Sequence, residues 1–141
     1  MLSAIMDNNA KAWTYPITMA LFTQAASGAG IVPDDNPSTG AAGTDVQEID
    51  TGSGYARQTV TFGTATAASP SVLASSNAQS FPQATGNWSS TNGNTWIGAW
   101  VLYNSDVTPL PTWVGAFNQA KQVQNLDTVT VASGDLQLQL D

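Results

Sequence analysis

The residues best suited to chemistry in this sequence are its acidic side chains. Ten of the 141 residues are Asp or Glu, and the densest group is Asp45, Glu48 and Asp50. Two carboxylates about 5–9.5 Å apart could serve as the acid and the base of a glycosidase. These three lie in loop-like segments, without the apolar surroundings that tune a catalytic carboxyl. The sequence therefore favours a solvated acidic face and a protein that is not an enzyme.

A second acidic group, Asp34-Asp35-Asn36, could supply oxygen ligands to calcium. It lacks the spaced D-x-D-x-D-G pattern of a calcium loop, and Asp-Asn-Pro is a common turn former. The sequence favours a turn here over a metal site, and no cofactor is expected.

Other kinds of site need residues that this chain lacks. It has no cysteine and no histidine, which excludes disulfides, thiolate nucleophiles and Ser-His-Asp sites. Its three cations, Lys11, Arg57 and Lys121, form no basic patch for phosphates, so nucleic acid is not an expected partner. The apolar runs are too short to cross a membrane, so no membrane association is expected either.

Five tryptophans could offer a stacking surface to sugars. Trp96, Trp100 and Trp113 lie in strongly apolar segments, so we expect them to pack in the core and to have a structural role. Trp88 lies in the turn-rich segment Gly86-Asn-Trp-Ser-Ser. It is the tryptophan that we expect to be exposed or to bind a partner.

Arg57 and its neighbour Tyr55 are also expected to have structural roles. Arg57 lies within a predicted strand, and a carboxylate across the preceding turn, such as Glu48 or Asp50, could pair with it.

Only 9% of the residues are charged, against about 25% in a typical domain, and the net charge is −7. Such a surface suits either partial burial by neighbouring subunits or simply an unusual soluble β domain.

The N-terminal segment Met1–Ala12 predicts a short helix. Leu2, Ile5 and Met6 share one helical face, and Trp13 continues the stripe. A helix this short is marginal alone, so we expect these four apolar side chains to lie against this domain or a partner subunit.

The run Trp96–Tyr103 is the most apolar of the chain and predicts a central strand buried on both faces. Alternation places its residues in two sets: Trp96, Gly98, Trp100 and Leu102 on one face, and Ile97, Ala99, Val101 and Tyr103 on the other.

Further short strands are predicted at hairpin spacing, and the last two are joined by the turn Ser133-Gly-Asp135. They are Ile17–Phe22, Ala56–Phe62, Ser71–Leu73, Ala78–Pro82, Thr112–Phe117, Thr128–Val131 and Leu136–Leu140. The sequence therefore predicts a single all-β domain over residues 1–141. Its fold is a β-sandwich or flattened barrel of six to eight antiparallel strands (residues 16–141) with the short N-terminal helix.

Several stretches, in this order, resemble a family of small tailed-bacteriophage virion proteins described as phage tail fibre or minor tail proteins. The most specific is Gly54-Tyr-Ala-Arg-Gln-Thr-Val-Thr-Phe62. The others are Met1–Met6, Ile17–Thr23, Glu48 ahead of Gly52, Phe81-Pro82 ahead of Gly86-Asn-Trp88, Trp96–Trp100, Asp127–Val131 and Leu136–Asp141.

The resemblance implies a virion structural protein, assembled in the host cytoplasm, whose partners are copies of itself and neighbouring capsid or tail subunits. A capsid decoration (cement) protein on the phage head is the alternative within that class. A glycan-binding module is the alternative from another class, with Trp88 and the loop of residues 23–43 contacting a host-surface glycan.

Overall fold

The computed structural model describes residues 16–23, 47–66, 71–109 and 111–140, and the regular secondary structure of these ranges consists almost entirely of strands. The prediction of an all-β fold with six to eight antiparallel strands is confirmed. One 3-10 turn (Thr51–Ser53) accompanies the strands, which are β1 (Ile17–Thr23), β2 (Gln58–Val60), β3 (Ser71–Ala74), β4 (Gln79–Ser80), β5 (Ile97–Tyr103), β6 (Pro111–Lys121), β7 (Thr130–Val131) and β8 (Gln137–Leu140). Within these ranges, no helix has the length and apolar character needed to cross a membrane.

Some predictions fall outside the described residues. The N-terminal helix (Met1–Ala12) is one of them, together with its candidate partner-binding residues Leu2, Ile5, Met6 and Trp13. The acidic groups at Asp34, Asp35 and Asp45 also lie outside. These stay predictions.

The main sheet has four antiparallel strands in the order β2-β1-β5-β6. The predicted central strand is therefore confirmed as β5, which lies between β1 and β6. β1 and β5 are buried along nearly their whole length, because each has neighbours on both sides and apolar residues on both faces. β2 is shorter than the predicted Ala56–Phe62 and ends at Val60.

A β-bulge at Gly98 changes the predicted faces of β5. Phe22 lies opposite Ala99 but Thr23 lies opposite Ile97, so Gly98 is the extra residue. An extra residue reverses the alternation of faces. Ile97 consequently packs with Leu102 in the main core, and its predicted grouping with Ala99 and Val101 is wrong.

The remaining strands form two antiparallel ribbons, β3-β8 and β4-β7. Both ribbons join the segment of residues 71–81, which contains β3 and β4, to the segment of residues 129–140, which contains β7 and β8. Ser75 N–H donates to Leu136 O (2.9 Å) just after β3, and Phe81 N–H donates to Val129 O (2.9 Å) just after β4. β7 and β8 therefore do not pair with each other across the Ser133–Asp135 turn. That turn lies against Ser75, whose carbonyl accepts from Gly134 N–H (2.8 Å).

The main hydrophobic core lies between one face of the sheet and the ribbons, which makes the fold roughly a sandwich. The sheet contributes every second side chain of β1. The ribbons contribute residues such as Leu73, Leu138 and, next to β4, Phe81. The members from β1 are Ile17, Met19 and Leu21. A second buried cluster lies on the opposite face of the sheet and consists of Ala20, Phe22, Ala99, Val101 and Tyr103.

Gly115 of β6 makes room for the indole of Trp100. The two residues are cross-strand partners, and a Cβ built on Gly115 would lie 2.2 Å from Trp100 Cζ2. Trp113 and Phe117, two residues to either side of Gly115, share its face and pack against the core. A glycine is therefore required here because the ring occupies the space of a side chain.

We predict that Gly115→Ala lowers the free energy of unfolding by about 1–3 kcal/mol, because the added methyl group must displace the Trp100 ring. Urea denaturation followed by tryptophan fluorescence measures the loss. Gly63→Ala is the matched control, since its Cβ would meet only Ala74 O at 3.8 Å. Equal stability of the two variants would contradict the packing of Trp100 on Gly115.

Candidate functional site

The carboxylate of Glu48 is the centre of the main polar cluster among the described residues. Arg57 binds it with two nitrogens, Nε to Oε1 (2.8 Å) and Nη2 to Oε2 (2.6 Å). The Tyr55 hydroxyl donates a third hydrogen bond to Oε1 (3.1 Å). The predicted pairing of Arg57 is confirmed with Glu48 as the partner, in the bidentate geometry that makes such pairs strong.

Tyr55 connects this carboxylate to the edge of β1. Its hydroxyl accepts a hydrogen bond from Leu21 N–H (2.9 Å) while it donates to Glu48. Burial raises the pKa of the Tyr55 phenol well above its ordinary value, and the negative charge of Glu48 adds to the shift. The phenol therefore stays neutral and keeps its role as a donor.

Arg57 also lies on the ring of Tyr103 in β5, with Cζ 4.0 Å from the ring centroid. This is within the range of a cation–π contact. The hydrogen bonds that Arg57 donates to Glu48 raise the pKa of the Arg57 guanidinium. Burial raises the pKa of Tyr103 to about 12, although the Arg57 charge opposes that shift.

The described carboxylates of the densest acidic group have structural partners. Glu48 is bound by Arg57 and Tyr55, and the Asp50 side chain accepts from Gly52 N–H (3.2 Å), which caps the 3-10 turn. Within the described ranges, no three acidic side chains come close enough together to hold a metal ion. The arrangement at Glu48 fixes chain segments to each other.

Trp88 is fully buried (0% exposed), so the prediction that it is exposed is wrong. Its ring lies edge-on to Tyr55 (5.4 Å between centroids) and to Phe81 (6.3 Å). Its indole N–H donates to Ser53 O (3.0 Å). The turn-rich sequence around Trp88 hid this role, because the aromatic partners come from distant segments.

The strand tryptophans differ from one another. Trp100 and Trp113 are partly buried against the main core, which confirms their expected packing. Trp96 is 47% exposed, so its predicted burial is wrong. It lies before the first residue of β5, next to the bulge at Gly98, where the alternation of the strand no longer determines its position.

A groove with a volume of about 550 Å³ lies beside the C-terminal half of β6. Its walls are residues 117–119, 121–123 and 127–131, and Leu21 and Ile97 form its base. The polar side chains in the walls are amides, hydroxyls, one carboxylate and one ammonium: Asn118, Gln119, Gln122, Thr128, Thr130, Asp127 and Lys121.

No pattern in the sequence predicts this groove, although the sequence does show that one of its walls is irregular. The strand pattern of Thr112–Phe117 is followed by Asn118 and Gln119, and amides recur at Gln122, Gln124 and Asn125. Two consecutive amides interrupt the alternation expected of a strand.

We predict that Glu48→Gln lowers the free energy of unfolding by about 1–3 kcal/mol, because it leaves the half-buried Arg57 cation without its counter-charge. Chemical denaturation measures the effect. Asp50→Asn is the matched control, because an asparagine oxygen can still cap the 3-10 turn. A loss as large in Asp50→Asn as in Glu48→Gln would argue against the central role of Glu48.

Alkaline pH is expected to destabilise the fold through its buried phenols. An unfolded tyrosine loses its proton near pH 10, whereas folded Tyr103 keeps it to about pH 12. The unfolded chain therefore binds fewer protons in this window, so the stability contributed by Tyr103 is fully present below about pH 9 and is lost as pH rises towards 12. Unfolding free energies measured at increasing pH should show a shallower decline in Tyr103→Phe than in the unmodified protein. Identical slopes would rule out Tyr103 as a source of the dependence.

Comparison with known proteins identifies one family. The family model described as "Podophage GP4 fiber I protein gp80" matches residues 3–139, which is nearly the whole chain. Neither the curated proteins nor the solved structures gave a significant match. The chain therefore belongs to the family of the podophage GP4 fiber I protein gp80.

Proposed function

We propose that this protein is a non-enzymatic structural subunit of the phage tail fibre, working through contacts with copies of itself and with neighbouring virion proteins. The observation that carries the proposal is the family match over residues 3–139. On this proposal the chain is a single β-rich domain that assembles in the host cytoplasm and stays in the virion.

The structure supports a contact role rather than a catalytic one. The described members of the densest acidic group, Glu48 and Asp50, already have partners within the chain. The described surface also carries large exposed apolar side chains, among them Trp96 (47%) and Leu126 (67%). Exposed apolar residues of this size are available for burial against another subunit.

The N-terminal segment is the contact that we propose for assembly. Leu2, Ile5, Met6 and Trp13 repeat at helical spacing, and such a stripe needs an apolar surface to cover it. Trp88, the other candidate from the sequence, is enclosed in the core and offers no contact surface in this fold.

We predict that deleting Met1–Ala12 prevents incorporation into the particle and leaves the β domain folded. Complementation with the truncated protein, followed by immunoblotting of purified particles, measures incorporation. Circular dichroism and tryptophan fluorescence check the fold. The triple variant Leu2→Ser/Ile5→Ser/Met6→Ser should act like the deletion, whereas Ala4→Ser/Ala10→Ser should be incorporated normally. Normal incorporation of the deleted form would refute the proposed contact.

Decoration of the phage head is the second candidate within the same class, because few charges and a compact β fold would also suit a protein that covers a capsid lattice. Quantitative mass spectrometry of separated heads and tails distinguishes the two. Copies in proportion to the major capsid protein would favour the head, and a few copies confined to tails would favour the fibre or a minor tail protein.

A further inference from the structure

The groove beside β6 has the construction of a ligand site. It is flanked by residues 117–119, 121–123 and 127–131 above Leu21 and Ile97. We infer that it binds a short, uncharged saccharide. This inference goes beyond the structural role proposed above and does not depend on it.

An irregularity in β6 forms one wall of the groove. Ala116 lies opposite Ala99, but the next paired residue, Lys121, lies opposite Ile97. Four residues of β6 (117–120) therefore correspond to a single residue of β5, Gly98, so the pairing of the two strands is irregular here. Bulges of this kind redirect side chains and are frequent beside binding sites.

The groove combines an apolar base with a polar rim. Leu21 and Ile97 at the base and Val123 in the wall are buried (1%, 6% and 7% exposed), and Phe117 adds a half-buried ring. The amides of Asn118 and Gln119 at the rim are exposed, as are the hydroxyls of Thr128 and Thr130 on the facing wall.

This mixture fits a sugar better than other small ligands. A sugar presents hydroxyls, which both donate and accept hydrogen bonds, and apolar C–H faces. Amide and hydroxyl side chains can bond to the sugar hydroxyls, and a phenyl ring can pack against the C–H faces. A phosphate would need more positive charge than Lys121 supplies, since Asp127 stands in the same groove. The volume of about 550 Å³ falls in the range of small-ligand pockets.

Two of the rim side chains are already held in place. Asp127 Oδ2 accepts from Gln124 N–H (2.9 Å), which holds the carboxylate in place. Gln122 Nε2 donates to Thr95 Oγ1 (2.7 Å), which orients its Oε1. Polar groups that are positioned in advance lose less conformational entropy when a ligand binds.

The test is an NMR titration of the protein with uncharged mono- and disaccharides at millimolar concentrations. The chemical shifts of the assigned backbone resonances report binding. The probes are glucose, galactose, rhamnose and N-acetylglucosamine, with their common disaccharides. We expect saturable shifts confined to residues 117–123 and 127–131 for at least one sugar. Asn118→Ala/Gln119→Ala should weaken that binding by about fivefold or more, as expected for lost hydrogen bonds.

Gln137→Ala is the matched control, because this exposed amide lies on β8, outside the groove, and it should bind as the unmodified protein does. Unperturbed spectra of the variants establish that each one folds. The inference is overturned if no sugar of the panel shifts groove resonances, if the shifts lie elsewhere, or if the double variant binds unchanged. Since no particle is involved, none of these results bears on the fibre role.

Discussion

The carboxylate of Glu48 is the interaction on which the described part of the molecule most depends. It joins Arg57, which leads into β2, and Tyr55, whose hydroxyl also holds Leu21 of β1. Tyr55 in turn packs against Phe81 and Trp88 in the core. Glu48 and Arg57 form the only ion pair between two residues that the structure describes. Networks of this kind are strong when every member is satisfied.

The scarcity of charge elsewhere fits a subunit of a larger assembly. Membership of a phage fibre family places the protein among virion components. An interface between subunits must strip water from whatever it buries, and charged groups make that expensive. A surface of Ser, Thr, Asn, Gln and Gly lowers this cost of desolvation. A net charge of −7 makes free subunits repel one another and so opposes non-specific association.

The strands of the sheet were predictable because their signals are local. The alternation in Ile17–Phe22 and the apolar run of β5 indicate buried strands by themselves, and β6 follows β5 as its hairpin partner. Pairing in the ribbons was not predictable, since β7 and β8 alternate equally well whichever partner they take. The burial of Trp88 depends on Tyr55 and Phe81, which no pattern around Trp88 encodes. The exposure of Trp96 and the face of Ile97 depend on one bulge.

The groove was missed for a related reason. Its base belongs to β1 and β5, its walls to β6 and to the segment around β7, and only the fold brings them together. The interruption of alternation at Asn118 and Gln119 marked an irregular strand, but the sequence held no sign of what lay opposite.

The ribbons also constrain the order in which this protein can fold. Ser75 and Gly134 are in contact although they lie 59 residues apart in sequence. β3 cannot pair until β8, the last strand of the described chain, has been synthesised. The core side chains on β1 and β3 therefore leave the ribosome well before the strands that cover them. Folds dominated by such distant pairings form slowly, and their unfinished states expose apolar surface. Newly synthesised chains should thus leave part of the core uncovered until β7 and β8 have been made.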